Sequence, residues 1–321
     1  MRAGAIGLGL AVTSAATFGT SGPFGAALMG AGWTPGGAVT VRIALAALIL
    51  TVPALVQLRG RWALLRRHWG AVVAYGLIAV AGCQLFFFNA IEHLSVGVAL
   101  LLEYSGTVLV VAWMWLRHGQ RPSRLTVTGG ALAIGGLVLV LDLTGAQRVS
   151  LVGVAWGLTA AAGLATYFIL SAHAGDLLPP IVMAWAGMVM GALTLAVAGL
   201  VGLVSIRTAS SDVSFNGHHT SWVVPVVGMS LVAAVIAYVA GIGAARRLGP
   251  RVASFVGLSE VLFAIVFAWV LLGQRPGVLQ AVGGVIVLAG IALVRAGDPD
   301  ELPAEVEATL EQREIPLPVA P

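Results

Sequence analysis

A chain of 321 residues that is 59% hydrophobic and only 9% charged, with a mean hydropathy of +0.99, is too apolar for an ordinary soluble domain. Its formal charge is +4 and all seventeen basic residues are arginine. Without a lysine there is neither the phosphate-gripping residue of a Walker A loop nor the amine of a Schiff base, so nucleotide-driven pumping by this chain alone is excluded.

About twenty apolar residues span a hydrocarbon core of about 30 Å, and ten such runs follow one another. The first, residues 5–28, follows Met1 and Arg2 as a signal peptide would, but no clear small-residue cleavage site follows, and the run is expected to persist as a helix. The second, 36–57, carries Arg42, the one arginine clearly inside a helix. It lies about a turn and a half from the external end, where it suits a substrate carboxylate, an acid of the chain, or snorkelling to the interface. The third, 70–90, holds Gln84, Asn89 and Cys83. Cys83 is the only cysteine, which rules out an intramolecular disulfide, and it reads as a small core residue.

The fourth run, 94–116, contains Glu103 followed by Tyr104, and the fifth covers 124–141. The sixth, 152–172, brings Trp156 and Tyr167, and the seventh, 180–204, brings Trp185. The serine-rich segment Ser205–Ser221 reads as a plain connector. Tyr238 lies in the eighth run, 222–244, and Glu260 in the ninth, 252–272; the tenth is 277–295. Beyond Arg295 the chain turns acidic and proline-rich, the signature of a disordered or briefly helical cytoplasmic end.

Arginines gather on alternate loops: Arg59, Arg61, Arg66 and Arg67, then Arg117, Arg121 and Arg124, then Arg246, Arg247 and Arg251. The opposite loops hold Arg148, Arg207 and Arg275. By the positive-inside rule both termini face the cytoplasm, and arginines spread over such loops do not form a nucleic-acid module.

The chain also repeats itself at an offset of 154 residues. GQRPSRLTVTGGALAIGGLVLV, Gly119 to Val140, matches GQRPGVLQAVGGVIVLAGIALV, Gly273 to Val294, with Trp115 and Trp269 in the same register. A repeat of five helices crosses the membrane an odd number of times, so its second copy enters from the other side as an inverted repeat. The expected division is a five-helix repeat in residues 1–145, a second in 146–296, and an acidic tail in 297–321. The fold class is all-α integral membrane, with ten transmembrane helices in two inverted five-helix repeats, an arrangement of secondary transporters whose site lies near the midplane. Gly153 with Gly157, Gly187 with Gly191, and Ala237 with Gly241 are spaced for close helix contact.

Glu103 and Glu260 each sit roughly 12 to 14 Å deep at 1.5 Å per residue, where a charge costs on the order of 3 kcal/mol unless it faces a cavity, pairs or is protonated. At the repeat offset Glu103 matches Gly257 and Glu260 matches Gly106, so each acid lies one turn from its partner's equivalent position. These acids suit proton binding or a substrate amine; a protonated glutamate hydrogen-bonded to a neighbouring helix is the structural alternative. Tyr104, Gln84, Asn89, Trp156, Tyr167, Trp185 and Tyr238 are candidate linings, since aromatic faces beside a carboxylate suit ammonium groups, although tyrosine and tryptophan also mark membrane interfaces. The histidines, including adjacent His218 and His219, fall in loops or at helix ends and make no recognisable metal site. No catalytic motif is present, so neither an enzyme nor a cofactor is expected.

With these residues in view, the sequence resembles the drug/metabolite transporter superfamily, in its ten-helix EamA-type branch, over residues 4–295. The resemblance rests on the duplicated GQRP…GG…G segment, on TPGGAVTVRIALAALIL with Arg42, and on SFVGLSEVLFAIVFAWVLLGQRP, Ser254 to Pro276. Glu260 matches the family's glutamate, with Val261 where many members have proline. LLEYSGTV resembles threonine/homoserine-type exporters, with Thr107 at the usual proline. Both departures are expected to remove a kink. The resemblance implies a gradient- or proton-coupled exporter or facilitator of small molecules in the plasma membrane, with amino acids as one cargo class and organic cations or drugs as the other. A receptor or scaffold that keeps the fold and moves nothing is the alternative of another class, and a homo-oligomer is compatible with either.

Overall fold

The computed structural model describes residues 2–94, 96–140, 150–173, 178–273 and 275–297. The junction near residue 145 between the expected repeats, Arg148 and the acidic tail beyond residue 297 lie outside them, as does the end of the fifth run at residue 141.

The described chain is mostly helical. It comprises α1 (Arg2–Gly19), α2 (Ser21–Gly30), α3 (Pro35–Leu58), α4 (Ala63–Arg67), α5 (Trp69–Ala74), a π-helical segment Tyr75–Gly82, α6 (Cys83–His93), α7 (Val96–Tyr104), α8 (Gly106–His118) and α9 (Arg124–Val140). There follow α10 (Leu151–His173), α11 (Pro180–Leu200), strands β1 (Val213–Phe215) and β2 (His218–Thr220), α12 (Val223–Val227), a second π-helical segment Gly228–Ile236, α13 (Ala237–Gly257), α14 (Ser259–Leu272) and α15 (Val278–Gly297). The duplicated GQRP has a local explanation. Gly119 and Gly273 end α8 and α14 in the left-handed conformation, with φ of 69° and 73°, a position that favours glycine, and a proline soon after prevents the helix from resuming.

Among the described residues seven helical stretches are long and apolar enough to cross a membrane, and Arg124–Val140 and Ser259–Leu271 are shorter apolar helices. Leu48, Val52, Leu116 and Val285 are largely exposed; so much uncovered apolar surface belongs against lipid. The first run is not one helix, because it is interrupted at Thr20, and α13 turns sharply at Gly249 (φ 73°, ψ 162°) before Pro250.

The loss of proline does not straighten the fourth and ninth runs. α7 gives way to α8 at Ser105, and α13 to α14 at Leu258. Hydroxyls act at or near the positions where the family pattern has proline: Thr107 Oγ1, at one of them, donates to the Tyr104 carbonyl at 2.9 Å, and two residues before each of them Ser105 Oγ donates to the Leu102 carbonyl and Ser259 Oγ to the Val256 carbonyl at 2.7 Å. The backbone tightens with them, since Leu258 N bonds the Phe255 carbonyl and Val108 N the Ser105 carbonyl, three residues back. Such back-bonding bends helices without proline. Ser105 and Ser259 are equivalent at the repeat offset, and so are the two π-helical segments to within a residue.

α9 and α15 pack along a seam of glycines. A Cβ on Gly136 would lie 2.8 Å from the Gly283 carbonyl, one on Gly283 2.7 Å from the Gly136 carbonyl, and one on Gly129 2.7 Å from Gly290. Low numbers on one helix meet high numbers on the other, so the two run antiparallel, and only glycine allows the backbones this close. Gly157 of α10 likewise meets Leu102, and Gly187 of α11 meets the Tyr75 ring.

Residues 205–221 are more than a connector. β1 and β2 form an antiparallel hairpin, with Phe215 opposite His218, around Asn216 (φ 48°) and Gly217 (φ 83°), the residue pair that a tight hairpin turn favours. Phe215 packs edge-on against Phe24 at 5.9 Å, and Trp33 Nε1 donates to the Ala209 carbonyl at 2.7 Å. Asn216 reaches Gly273 at the end of α14.

Candidate functional site

A cavity of about 400 Å³ lies among α1, α2, α3, α6, α7, α10, α13 and α14, a volume in the range of small-ligand sites. Its wall includes Met29, Ala244, Ala253, Ala268 and Gln280. Seven of the ten residues singled out in the sequence line it: Arg42, Gln84, Glu103, Tyr104, Tyr167, Tyr238 and Glu260. Asn89 and Trp156 are not on its wall. Asn89 Nδ2 donates to the Leu85 carbonyl one turn back, at 2.7 Å, and Trp156 stacks on Phe86 at 5.5 Å. Trp185 is occupied elsewhere too, donating from Nε1 to Thr51 Oγ1 at 3.1 Å.

Arg42 on α3 is buried, with 2% of its surface exposed, and does not snorkel. Its Nη1 donates to Ser21 Oγ at 2.8 Å and to Gln84 Oε1 at 2.7 Å, and its Nη2 donates to the Ala233 carbonyl within the second π-helical segment. Gln84 Nε2 in turn donates to the Tyr238 hydroxyl at 3.0 Å. Gln84 and Tyr238 are 154 residues apart, the repeat offset, so repeat-equivalent residues touch here. An arginine away from water needs acceptors for its donors, and this network supplies them.

The two acids come from the interrupted helices. Glu103 sits two residues before the break at Ser105, and Glu260 two residues after the break at Leu258. Both are half-buried and face the cavity. The Cys83 thiol donates to Glu103 Oε1 at 3.4 Å, and Tyr104 and Glu260 share the cavity wall. The carboxylates act on each other electrostatically, and Arg42 acts on both through space, although its own hydrogen bonds go to neutral acceptors. Around them Tyr167 and Tyr238 meet edge-on at 5.4 Å, and Phe18 contacts Tyr238 at 5.1 Å. Tyr75 completes this aromatic group from behind, 6.0 Å from Tyr167.

Phe18, Ser21, Cys83 and Gln280 line the cavity, although the sequence reading did not assign them to a site. Ser21 carried a signal, because Ser21-Gly22-Pro23 interrupts an apolar run. Cys83 carried none, since its proximity to Glu103 arises from packing between α6 and α7.

A helical membrane protein with charged groups gathered around an internal cavity of ligand size has the construction of a transporter. The sequence model of the EamA-like transporter family matches residues 5–142 and 151–296, and the chain belongs to that family, within the drug/metabolite transporter superfamily. It is similar to the pseudopaline exporter CntI of Pseudomonas aeruginosa strains UCBPP-PA14 and PAO1, 34% identical to each over 68 residues. That stretch is 21% of this chain and spans 24% of the length of either relative. A protein crystal structure shares the fold with a TM-score of 0.70 at 16% identity, over 92% of this chain and 97% of the other.

Proposed function

We propose that the protein is a secondary transporter that exports small amine-bearing metabolites, amino acids or organic cations, across the plasma membrane by alternating access. In this reading ten crossings form two inverted five-helix repeats, residues 1–145 and 146–296, with both termini in the cytoplasm. The antiparallel seam of equivalent glycines, the equivalent breaks at Ser105 and Leu258, and the arginine-rich loops support that arrangement. Glu103 and Glu260 bind cargo or protons, Arg42 compensates part of their charge, and Gln84, Tyr104, Tyr167 and Tyr238 shape the site. Exchange of a proton for cargo at the carboxylates lets inward proton flow drive efflux.

The observation that carries this reading is one acid from each half, each beside a helix interruption, meeting on a common cavity. A scaffold gains nothing from buried acids that cost on the order of 3 kcal/mol each on insertion. The test is metabolite profiling of cells and medium, wild type against the Glu103→Gln, Glu260→Gln double variant at equal membrane abundance. A metabolite that accumulates outside only with the wild type is the expected result; identical profiles contradict the reading.

A further inference from the structure

The β1–β2 hairpin ties together two helices that it does not belong to. Residues 205–211, which lead into it, are bonded to the turn between α2 and α3. Thr34 N donates to the Arg207 carbonyl at 3.1 Å and Arg207 N to Thr34 Oγ1 at 2.9 Å; Thr34 Oγ1 donates to the Ser205 carbonyl at 2.7 Å, and Ser211 Oγ to the Ala31 carbonyl at 3.0 Å. The indole of Trp33 adds its bond to the Ala209 carbonyl. From β1, Val213 sinks into the core, 1% exposed, and Phe215 packs on Phe24 of α2.

The tip crosses to α14. A Cβ on Gly273 would lie 2.6 Å from Asn216 Oδ1, so the Asn216 side chain rests on the bare backbone of the turn that ends this helix. The first GQRP has no such cover, because a Cβ on Gly119, its equivalent, would meet no atom of the described residues within 4 Å. At the repeat offset residues 205–221 answer to 51–67, the end of α3 and α4. There Arg61 bonds back to the Gln57 and Leu58 carbonyls of its own segment, and no hairpin forms among the described residues. The device belongs to one face of the molecule.

Both tethered helices are cavity walls: Pro23, Ala26 and Met29 line the space from α2, Ala264 and Ala268 from α14. These walls cannot part on the hairpin's face while it holds both. Its two attachments are unequal. A set of hydrogen bonds and a buried valine fix it to the α2–α3 turn, whereas an exposed asparagine side chain holds the α14 end. Several hydrogen bonds acting together outlast a single side-chain contact, so the tip gives way first.

We infer that the hairpin is a strap: anchored on the α2–α3 turn and latched by Asn216 to the end of α14, it keeps the cavity shut on this face and releases α14 when the face opens. This rests on the transport reading above. The test reads opening through Cys83, which lines the cavity and is the only cysteine. A membrane-impermeant methanethiosulfonate is added outside intact cells, and its rate of reaction with the full chain is followed by mass spectrometry. Asn216→Gly removes the latching side chain and suits the backbone there, where φ is 48°. It is expected to label at least about threefold faster than the wild type, with an unchanged thermal midpoint. Ser211→Ala removes one anchoring bond and leaves those of Trp33 and Thr34, and its rate is expected to stay within about twofold of the wild type. Equal rates for the wild type and Asn216→Gly, zero included, overturn the inference. So does Ser211→Ala labelling as fast as Asn216→Gly, or a faster rate that comes with a lower midpoint. Any of these leaves the transport reading standing, because that reading fails on the profiling result alone.

Discussion

Repeat-equivalent residues meet in two regions of this molecule, and the regions treat equivalence in opposite ways. Along the α9–α15 seam both copies supply the same residue: Gly129 and Gly283, and Gly136 and Gly290. Among the charged and polar residues on the cavity wall no pair is kept: Glu103 answers to Gly257, Glu260 to Gly106, Arg42 to Ala196, Gln84 to Tyr238 and Tyr167 to Thr13. The seam buries backbone against backbone, and only one residue type allows that, so both copies must have it. The cavity must hold a few charges against a cargo that lacks two-fold symmetry, so its copies diverge. At Gly106 the divergence is also steric, since a Cβ there would lie 2.5 Å from the Ala161 carbonyl.

The largest effect should come from the seam. Gly136→Leu places a branched side chain where a Cβ already meets Val287 N at 2.7 Å, and no monodisperse protein is expected on size-exclusion chromatography. Gly136→Ala and its mate Gly290→Ala should each cost about 1–3 kcal/mol and lower the thermal midpoint similarly; a large difference between them would break the symmetry of the seam. In the cavity the opposite holds, because Glu103→Gln, Glu260→Gln should keep a near-native melting temperature while export is lost. Tyr238→Phe removes the acceptor of Gln84 Nε2 and loosens the hold on Arg42. It should slow export about tenfold, the equivalent of about 1.4 kcal/mol, measured as initial efflux rate at matched abundance. Least of all, Gly217→Ala in the hairpin strains a residue at φ 83° with open space around it, costing about 1 kcal/mol, read as a small drop in the thermal midpoint.

What could be read from sequence followed the same division. The seam was legible because identical residues recur at a fixed offset, and the acids because charge is rare in lipid. The helix breaks were not, since no proline marks them and the hydroxyls of Ser105, Thr107 and Ser259, which back-bond there, are common inside unbroken helices too. The hairpin was missed although Asn216-Gly217 announces it, because two three-residue strands leave too short an alternation to stand out in a serine-rich loop. The partners of Arg42 were illegible for another reason. Ser21, Gln84 and Ala233 come from three distant segments, and no local pattern links them.

In the proposed alternating access the cavity opens and closes, whereas the close backbone packing of the glycine seam is expected to hold α9 and α15 at a fixed separation. Pulsed electron resonance on paired spin labels tests it in a Cys83→Ala background. One pair, at Ile91 on α6 and Ala268 on α14, spans the cavity; the other, at Leu132 on α9 and Val285 on α15, spans the seam. Two distance populations are expected across the cavity, redistributed by a pH gradient across the membrane, and one unchanged distance across the seam. A single distance at both sites, with and without the gradient, contradicts alternating access at this cavity.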